Sequence, residues 1–511
     1  MTAALELSDI HKRYGETDAN RGASLCADAG EIVAVVGENG AGKSTLMKIA
    51  YGLVTADRGQ IFIRGESIPI AAHSPDRAIS LGVGMVHQHF MLMDPMTVVE
   101  NAVLGREPTR GLFVDLGRAA RELVELSETL GLGIDPWAKV GTLSVGQKQR
   151  VEILKVLWQG AQIIILDEPT AVLTPGEVRQ LFSVLGNLAA GGKTLVLITH
   201  KLDEITTIAH RAVVLRRGQT VAEMQKHDLS PTAIAHAMVG RPIALEIDKP
   251  ACVRGETVLA IDDLEVAGRG AEPVLAIDHL EVAAGEIVGI AGVEGNGQRE
   301  LCEAICGLIR PRQGIITLAG DDITALSTRA RFAAGIAHVP EDRHHRGLIL
   351  ERSIADNLLL GRQDEHSTRL GLDREKIAAT CRRAIADFDI RPPEASAPAA
   401  ALSGGNQQKI VIARELLRPA PKLLVCAQPT RGVDIGAILR IHEAIVAARG
   451  RGLGVILVSA ELSELLALAD RVEVLYKGRI SGSMDAAALA RDDAADRLGE
   501  MMTGAGARGA A

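Results

Sequence analysis

The apolar positions of this 511-residue chain fall into short unbroken runs rather than long alternating ones. Residues 32–36 (IVAVV), 163–166 (IIIL) and 195–198 (LVLI) carry aliphatic side chains with no polar interruption. Such runs suit strands covered on both faces, as in a parallel sheet. The first leads into a glycine-rich turn and then a helix that includes residues 46–50; residues 106–142 and 362–401 read as helix-like insertions. No apolar run approaches the roughly 18–20 residues that span a bilayer.

The whole pattern occurs twice. Residues 30–65 (GEIVAVVGENGAGKSTLMKIAYGLVTADRGQIFIRG) align without a gap to residues 285–320 (GEIVGIAGVEGNGQRELCEAICGLIRPRQGIITLAG), at an offset of 255. LSVGQKQRVEILKVL at 143–157 returns as LSGGNQQKIVIARELL at 402–417, and IIILDEPTAVLTP at 163–175 as LLVCAQPTRGVDI at 423–435. LVLITHKLDEI at 195–205 returns as VILVSAELSEL at 455–465. A repeat this long means two homologous domains, because solenoid repeats run about 20–50 residues. The expected organisation is a first domain at 1–240, a linker at 241–257 carrying Pro242, Pro250 and Gly255, a second domain at 258–502 and a disordered tail at 503–511. Each domain is expected to be a doubly wound α/β core with a helical subdomain.

Composition agrees with that class: hydrophobic residues are 47% of the chain and aromatics 2%, so small and branched side chains build the cores. A formal net charge of −8 argues against general binding to a nucleic-acid backbone, which needs a concentrated basic surface. The six cysteines include no Cys-x-x-Cys pair and read as reduced cytosolic thiols. Cys302 and Cys306, i and i+4 among apolar neighbours, read as buried packing rather than a metal site. The N-terminus shows no basic segment followed by an apolar one, so no signal peptide is expected.

The chemistry lies in the first half. Residues 37–44 fit G-x-x-x-x-G-K-S between a strand and a helix, the setting in which backbone N–H groups wrap phosphates at a helix N-terminus. Lys43 is placed to reach the β- and γ-phosphates and Ser44 to ligate Mg²⁺. The run 163–166 ends in Asp167 and Glu168, costly to bury without a cation or hydrogen bonds. Asp167 is expected to hold Mg²⁺ through water, and Glu168 to accept from or orient the attacking water. His200 follows the run 195–198 and is placed to hydrogen-bond the γ-phosphate; packing alone is the competing reading.

P-loops also serve kinases and GTPases, so the fold does not decide the activity. The deciding motif is LSVGQ at 143–147 with its stronger copy LSGGN at 402–406. With it, nearly the whole chain resembles an ABC ATPase. The resemblance implies that Tyr14 stacks on adenine and that Gln88 contacts Mg²⁺ and a transmembrane partner. It implies ATP binding through Gly37, Glu38, Asn39, Gly40, Ala41, Gly42, Lys43, Ser44 and Thr45. The largely apolar segment His89, Phe90, Met91 and Leu92 would face a membrane subunit; packing in the core is the competing reading.

The second half has lost this chemistry. Gln298 stands where Lys43 stood, Arg299 for Ser44, Ala427 and Gln428 for Asp167 and Glu168, and Ala460 for His200. Glu341 matches Gln88, and Gly268 lies opposite Tyr14 after a one-residue shift. Yet LSGGN and Asp434 are better preserved there than LSVGQ and Thr174 in the first half. ABC nucleotide domains pair head to tail, which implies one complete site from the first half's groups closed by Ser403, Gly404, Gly405 and Asp434, and one degenerate site.

The run AQPTRGVDIGA, VPEDR at 339–343 and LSGGNQQK resemble the ATP-binding subunits of simple-sugar and nucleoside importers. VHQHFML at 86–92 and LSVGQKQRVEILK are most similar to nucleoside-type members. The implied partners are two transmembrane permeases and an extracytoplasmic solute-binding protein, with the chain peripheral on the cytoplasmic face of the membrane. Competing readings are a ribose- or galactose-type importer, a soluble tandem ABC protein acting on ribosomes, which generally has two intact sites and a long charged linker, and a non-catalytic ATP sensor, which the full DE pair disfavours.

Overall fold

The computed structural model describes residues 3–88, 90–111, 113–170, 173–240, 247–268, 272–369 and 371–504. Residues 241–246 of the expected linker, 505–511 of the expected tail and His89 lie outside them. The chain divides into two compact units, Met1–Leu245 and Glu246–Ala511.

In the first unit the unbroken apolar runs become the centre of a six-stranded sheet. Its order is Gln219–Gln225, Arg211–Arg216, Ile32–Gly37, Thr194–Ile198, Ile163–Asp167 and Val83–Val86, parallel except for the first pair. The three inner runs are buried at every position, which is why they lack alternation. A second, antiparallel sheet of Thr17–Ala27, Leu5–Tyr14, Arg58–Ile63 and Glu66–Ile68 covers one face, with the helix Lys43–Ala50 buried between the two. The helices Val98–Val103, Leu116–Thr129, Val145–Trp158 and Pro175–Ala190 pack on the other.

The second unit repeats this plan: Arg479–Met484, Arg471–Tyr476, Ile287–Ala291, Gly454–Val458, Leu423–Ala427 and Ile336–Val339 follow the same sheet order. Cys302, within the helix Gln298–Ile305, and Cys306, at its C-cap, are both buried, and desolvation pushes the Cys302 thiol up to about 12, so it is inert packing.

The insertions are less helical than expected. Residues 106–142 hold one α-helix, Leu116–Thr129, preceded by a short hairpin, Thr109–Arg110 with Phe113–Val114. The second unit has the hairpin Ser367–Thr368 with Gly371–Leu372 at the matching place. Each insertion begins earlier than expected, with the helices Val98–Val103 and Ile354–Leu359. The first is started by a capping box between Thr97 and Glu100.

Candidate functional site

The strand Ile32–Gly37 delivers the chain into the glycine-rich loop, and the helix Lys43–Ala50 begins three residues earlier than its apolar positions predict. Gly42 makes that early start possible. It sits at φ 97°, and a Cβ there would lie 2.2 Å from the Ala19 carbonyl oxygen. Both conformation and space therefore require glycine. Gly42→Ala is expected to cost about 1–3 kcal/mol of stability, read as a lower thermal midpoint. An unchanged midpoint would show that the loop relaxes at no cost.

Lys43 is buried and folds back on its own loop, its Nζ donating to the carbonyls of Gly37 at 2.7 Å and Glu38 at 3.0 Å. Burial pushes its ammonium pKa down, while Glu168 and Asp167 oppose the shift. Asn39 and Gly40 form the exposed rim of the loop, and the Ala41 N–H closes it on the Glu38 carbonyl at 3.0 Å.

The sheet register brings the other groups to the same strand ends. Ile198 pairs with Asp167, and Val86 with Leu166, so His200 and Gln88 arrive on either side of Glu168. Gln88 donates from Nε2 to Glu168 Oε2 at 2.8 Å, and His200 donates from Nδ1 to Oε1 at 3.0 Å. The His200 hydrogen bond is the main cause holding the Glu168 carboxyl below its ordinary pKa; burial opposes it. Glu168 is thus a charged acceptor held by one hydrogen bond on each oxygen, with a lone pair left on each to take a proton from water. Its φ of 47° puts a non-glycine residue in the left-handed region, where strain concentrates at functional positions.

Asp167 is buried, and its carboxylate accepts a long hydrogen bond from the Ser44 hydroxyl at 3.5 Å. Burial and then Glu168 push its pKa up. A buried carboxylate so weakly compensated fits a divalent cation. Ser44, Asp167 and Gln88 would hold Mg²⁺ together with nucleotide phosphates, consistent with the ion's use of one or two carboxylates. Among the described residues no group of three or more His, Cys, Asp or Glu forms a cage of its own.

Tyr14 lies on the antiparallel sheet. It ends the antiparallel strand Leu5–Tyr14, is 48% exposed, and has the Lys12 ammonium 5.5 Å from its ring centroid. Met91 and Met93 are exposed while Phe90 and Leu92 are half-buried.

In the second unit Gln298 occupies its own loop, accepting from the Asn296 N–H at 3.1 Å and donating to the Val293 carbonyl at 3.0 Å. Arg299 and Arg346 both donate to Glu303 Oε1, at 2.8 and 2.5 Å. Gln428 keeps the left-handed backbone, φ 49°, and its Oε1 accepts from the Ala460 N–H at 3.1 Å. Glu341 pairs with Arg431. Ser403 caps the helix Gly404–Leu416, and Asp434 caps Ile435–Gly450 through the Ala437 N–H at 2.8 Å. Both therefore have local roles that require no nucleotide. Gly405 is held against Asp434, since a Cβ there would meet Oδ2 at 2.6 Å.

Three contributors escaped sequence reasoning. Asn20 is 1% exposed and donates from Nδ2 to the Gly42 carbonyl at 3.2 Å; Leu275 stands at the matching point against Gly297. A polar residue among buried positions was the signal. Glu152, on the helix Val145–Trp158, accepts from the Met91 N–H at 2.6 Å and fastens the loop after Gln88 to that helix. Its place inside the apolar run VEIL marks it. Arg343 donates to the Arg431 carbonyl at 2.7 Å, and a Cβ on Gly404 would lie 2.7 Å from its Nη2. The VPEDR run contains it, but only folding shows that it ties LSGGN to the turn before Asp434.

Comparison with known proteins gives concordant results. The ABC transporter family model matches residues 21–171 and 275–431. The chain is 44% identical over 504 residues to the nucleoside import ATP-binding protein NupA of Lactococcus lactis subsp. cremoris, covering 98% of each. It is 44% identical over 506 residues to the guanosine import ATP-binding protein NupO of Bacillus subtilis, covering 99% of this chain and 98% of that one. A solved archaeal ribosome recycling factor, aABCE1 in complex with the stalk protein aP1, shares the fold at TM-score 0.60 and 19% identity, covering 93% of this chain and 90% of that one.

Proposed function

The chain belongs to the ABC transporter family, and from that premise we propose that it is the ATP-hydrolysing subunit of an importer whose solute is a nucleoside. The full-length similarity to two nucleoside-type import ATP-binding proteins carries this reading. Intact catalytic groups in the first unit supply the means. Glu168 acts as the base toward water, His200 and Gln88 orient its carboxylate, and Lys43 binds the β- and γ-phosphates. When bound, Mg²⁺ neutralises phosphate charge. The loop after Gln88, with exposed Met91 and Met93, suits a transmembrane permease.

The partition of intact and lost motifs between the halves supports a single hydrolytic site built on the first unit's groups, with Ser403, Gly404, Gly405 and Asp434 as the better-preserved signature residues. The proposed setting is the cytoplasmic membrane face, with two permeases and an extracytoplasmic binding protein. Among the described residues no helix is long and apolar enough to cross a membrane.

Uptake assays in a strain lacking this gene test the solute. Loss of purine nucleoside uptake with pentose uptake intact is expected; the reverse would make the importer a ribose- or galactose-type one. At the adenine end, Tyr14→Ala is expected to raise KM for ATP by about three- to tenfold with kcat nearly unchanged, as loss of a stacking contact worth about 0.5–1.5 kcal/mol dictates. Steady-state ATPase assays decide it, and an unchanged KM would remove Tyr14 from the site.

A further inference from the structure

The segment expected as a linker is seated on the second unit. Lys249 donates from Nζ to the carbonyls of Leu468 at 3.1 Å and Ala469 at 2.7 Å, where the helix Leu462–Leu468 ends, and pairs with Asp470 at 3.3 Å. Arg449 donates to the Pro250 carbonyl at 2.9 Å and the Gly285 carbonyl at 3.2 Å. The Cys252 thiol donates to Gly285 at 3.3 Å, and Ile247 packs on the core. An extended peptide thus fills a groove between the starts of two inner strands, one helix flank and the end of another helix.

The internal repeat places the same groove in the first unit, with Gly30 for Gly285, Ala189 for Arg449, Ile208 for Leu468, Ala209 for Ala469 and His210 for Asp470. There it is an open cleft of about 360 Å³, lined by Gly30, Ile32, Gly186, Ala189, Ile208 and His210 among others. Loss of the Arg449 side chain widens it. At the end of the helix Leu202–Ile208 the Lys226 ammonium donates to the carbonyls of Thr206 at 2.7 Å and Thr207 at 3.3 Å, and among the described residues no side chain donates to those of Ile208 and Ala209. Such helix-end carbonyls need donors. His210 keeps one duty of Asp470: its Nδ1 accepts from the Ile32 N–H at 3.1 Å, as Asp470 accepts from Ile287 at 2.9 Å. With Nδ1 an acceptor, the ring is neutral with its proton on Nε2, so the open carbonyls set the charge of whatever binds.

We propose that this cleft binds an extended, lysine-bearing segment of a partner polypeptide, in the manner in which the second unit binds residues 247–252 of its own chain. The site lies on residues that take no part in ATP chemistry, so the proposal stands apart from the importer reading.

A fluorescent peptide with the sequence of residues 248–254, serine replacing cysteine, tests it by anisotropy against the full chain. Saturable binding is expected, weakened about tenfold when glutamate replaces the peptide lysine and about tenfold or more by Gly186→Phe. A side chain at Gly186 points into open space, and Val446 occupies the matching position, so Gly186→Val with unchanged ATPase controls for folding. His210→Asp, which restores the second unit's acid, is expected to tighten binding about fivefold. The proposal is overturned by absence of saturable binding to the wild type, or by binding indifferent to both the peptide lysine and Gly186→Phe. Binding that appears only after removal of residues 505–511 would make the chain's own end the occupant, and would overturn it too.

Discussion

Glu168→Gln is expected to lower ATP turnover by about 10²–10⁴-fold, the range for removal of a general base, with ATP affinity close to wild type. The substitution keeps the shape, and Gln88 and His200 can still meet an amide. What disappears is the charged acceptor that the His200 hydrogen bond maintains. Single-turnover hydrolysis separates this from slow product release. The mirror experiment, Gln428→Glu, is expected to add no measurable turnover, because Ala427 and Gln298 stand where the cation and phosphates would need Asp167 and Lys43. Robust hydrolysis surviving Glu168→Gln would sink the assignment of catalysis to the first unit.

Lys43→Gln, which copies the second unit, is expected to lower kcat/KM for ATP by about 10²–10³-fold, comparable to removing a donor aimed at developing charge. In the second unit the glutamine amide bonds to both sides of its own loop and brings no positive charge to a phosphate. Lys43 in the same pose donates only, to two carbonyls, and so can turn to phosphate oxygens. Titration with a fluorescent ATP analogue should show weakened binding in the same variant. Wild-type affinity and turnover would mean that the loop amides alone hold the phosphates.

These expectations were largely legible before folding. The strand runs, the repeat and the residue types at 37–45, 167–168 and 200 follow from short-range pattern, since buried parallel strands and phosphate loops leave continuous apolar and glycine signatures. What the chain order hides is which strand ends meet. That Gln88 and His200 grip opposite oxygens of Glu168 depends on the pairing of Val86 with Leu166 and Ile198 with Asp167, separated by 80 and 31 residues. The hairpin at 109–114 was missed because two-residue strands carry no periodicity to read. Asn20 and Arg343 were missed because each acts through a carbonyl that any residue type would present.

The left-handed backbone at residue 428 bears on the history of the duplication. A strained turn that serves a carboxylate at Glu168 persists where no carboxylate remains. The scaffold of the second half has therefore outlasted its chemistry, and a grafted acid at 428 would leave the same kind of turn as its ancestor. Reversion is blocked elsewhere, in the side chains that now fill the phosphate loop and bridge Glu303. Restoring a second working site is expected to call for at least Gln298→Lys, Arg299→Ser, Ala427→Asp and Gln428→Glu together, since each returns a group present at the matching position of the first unit.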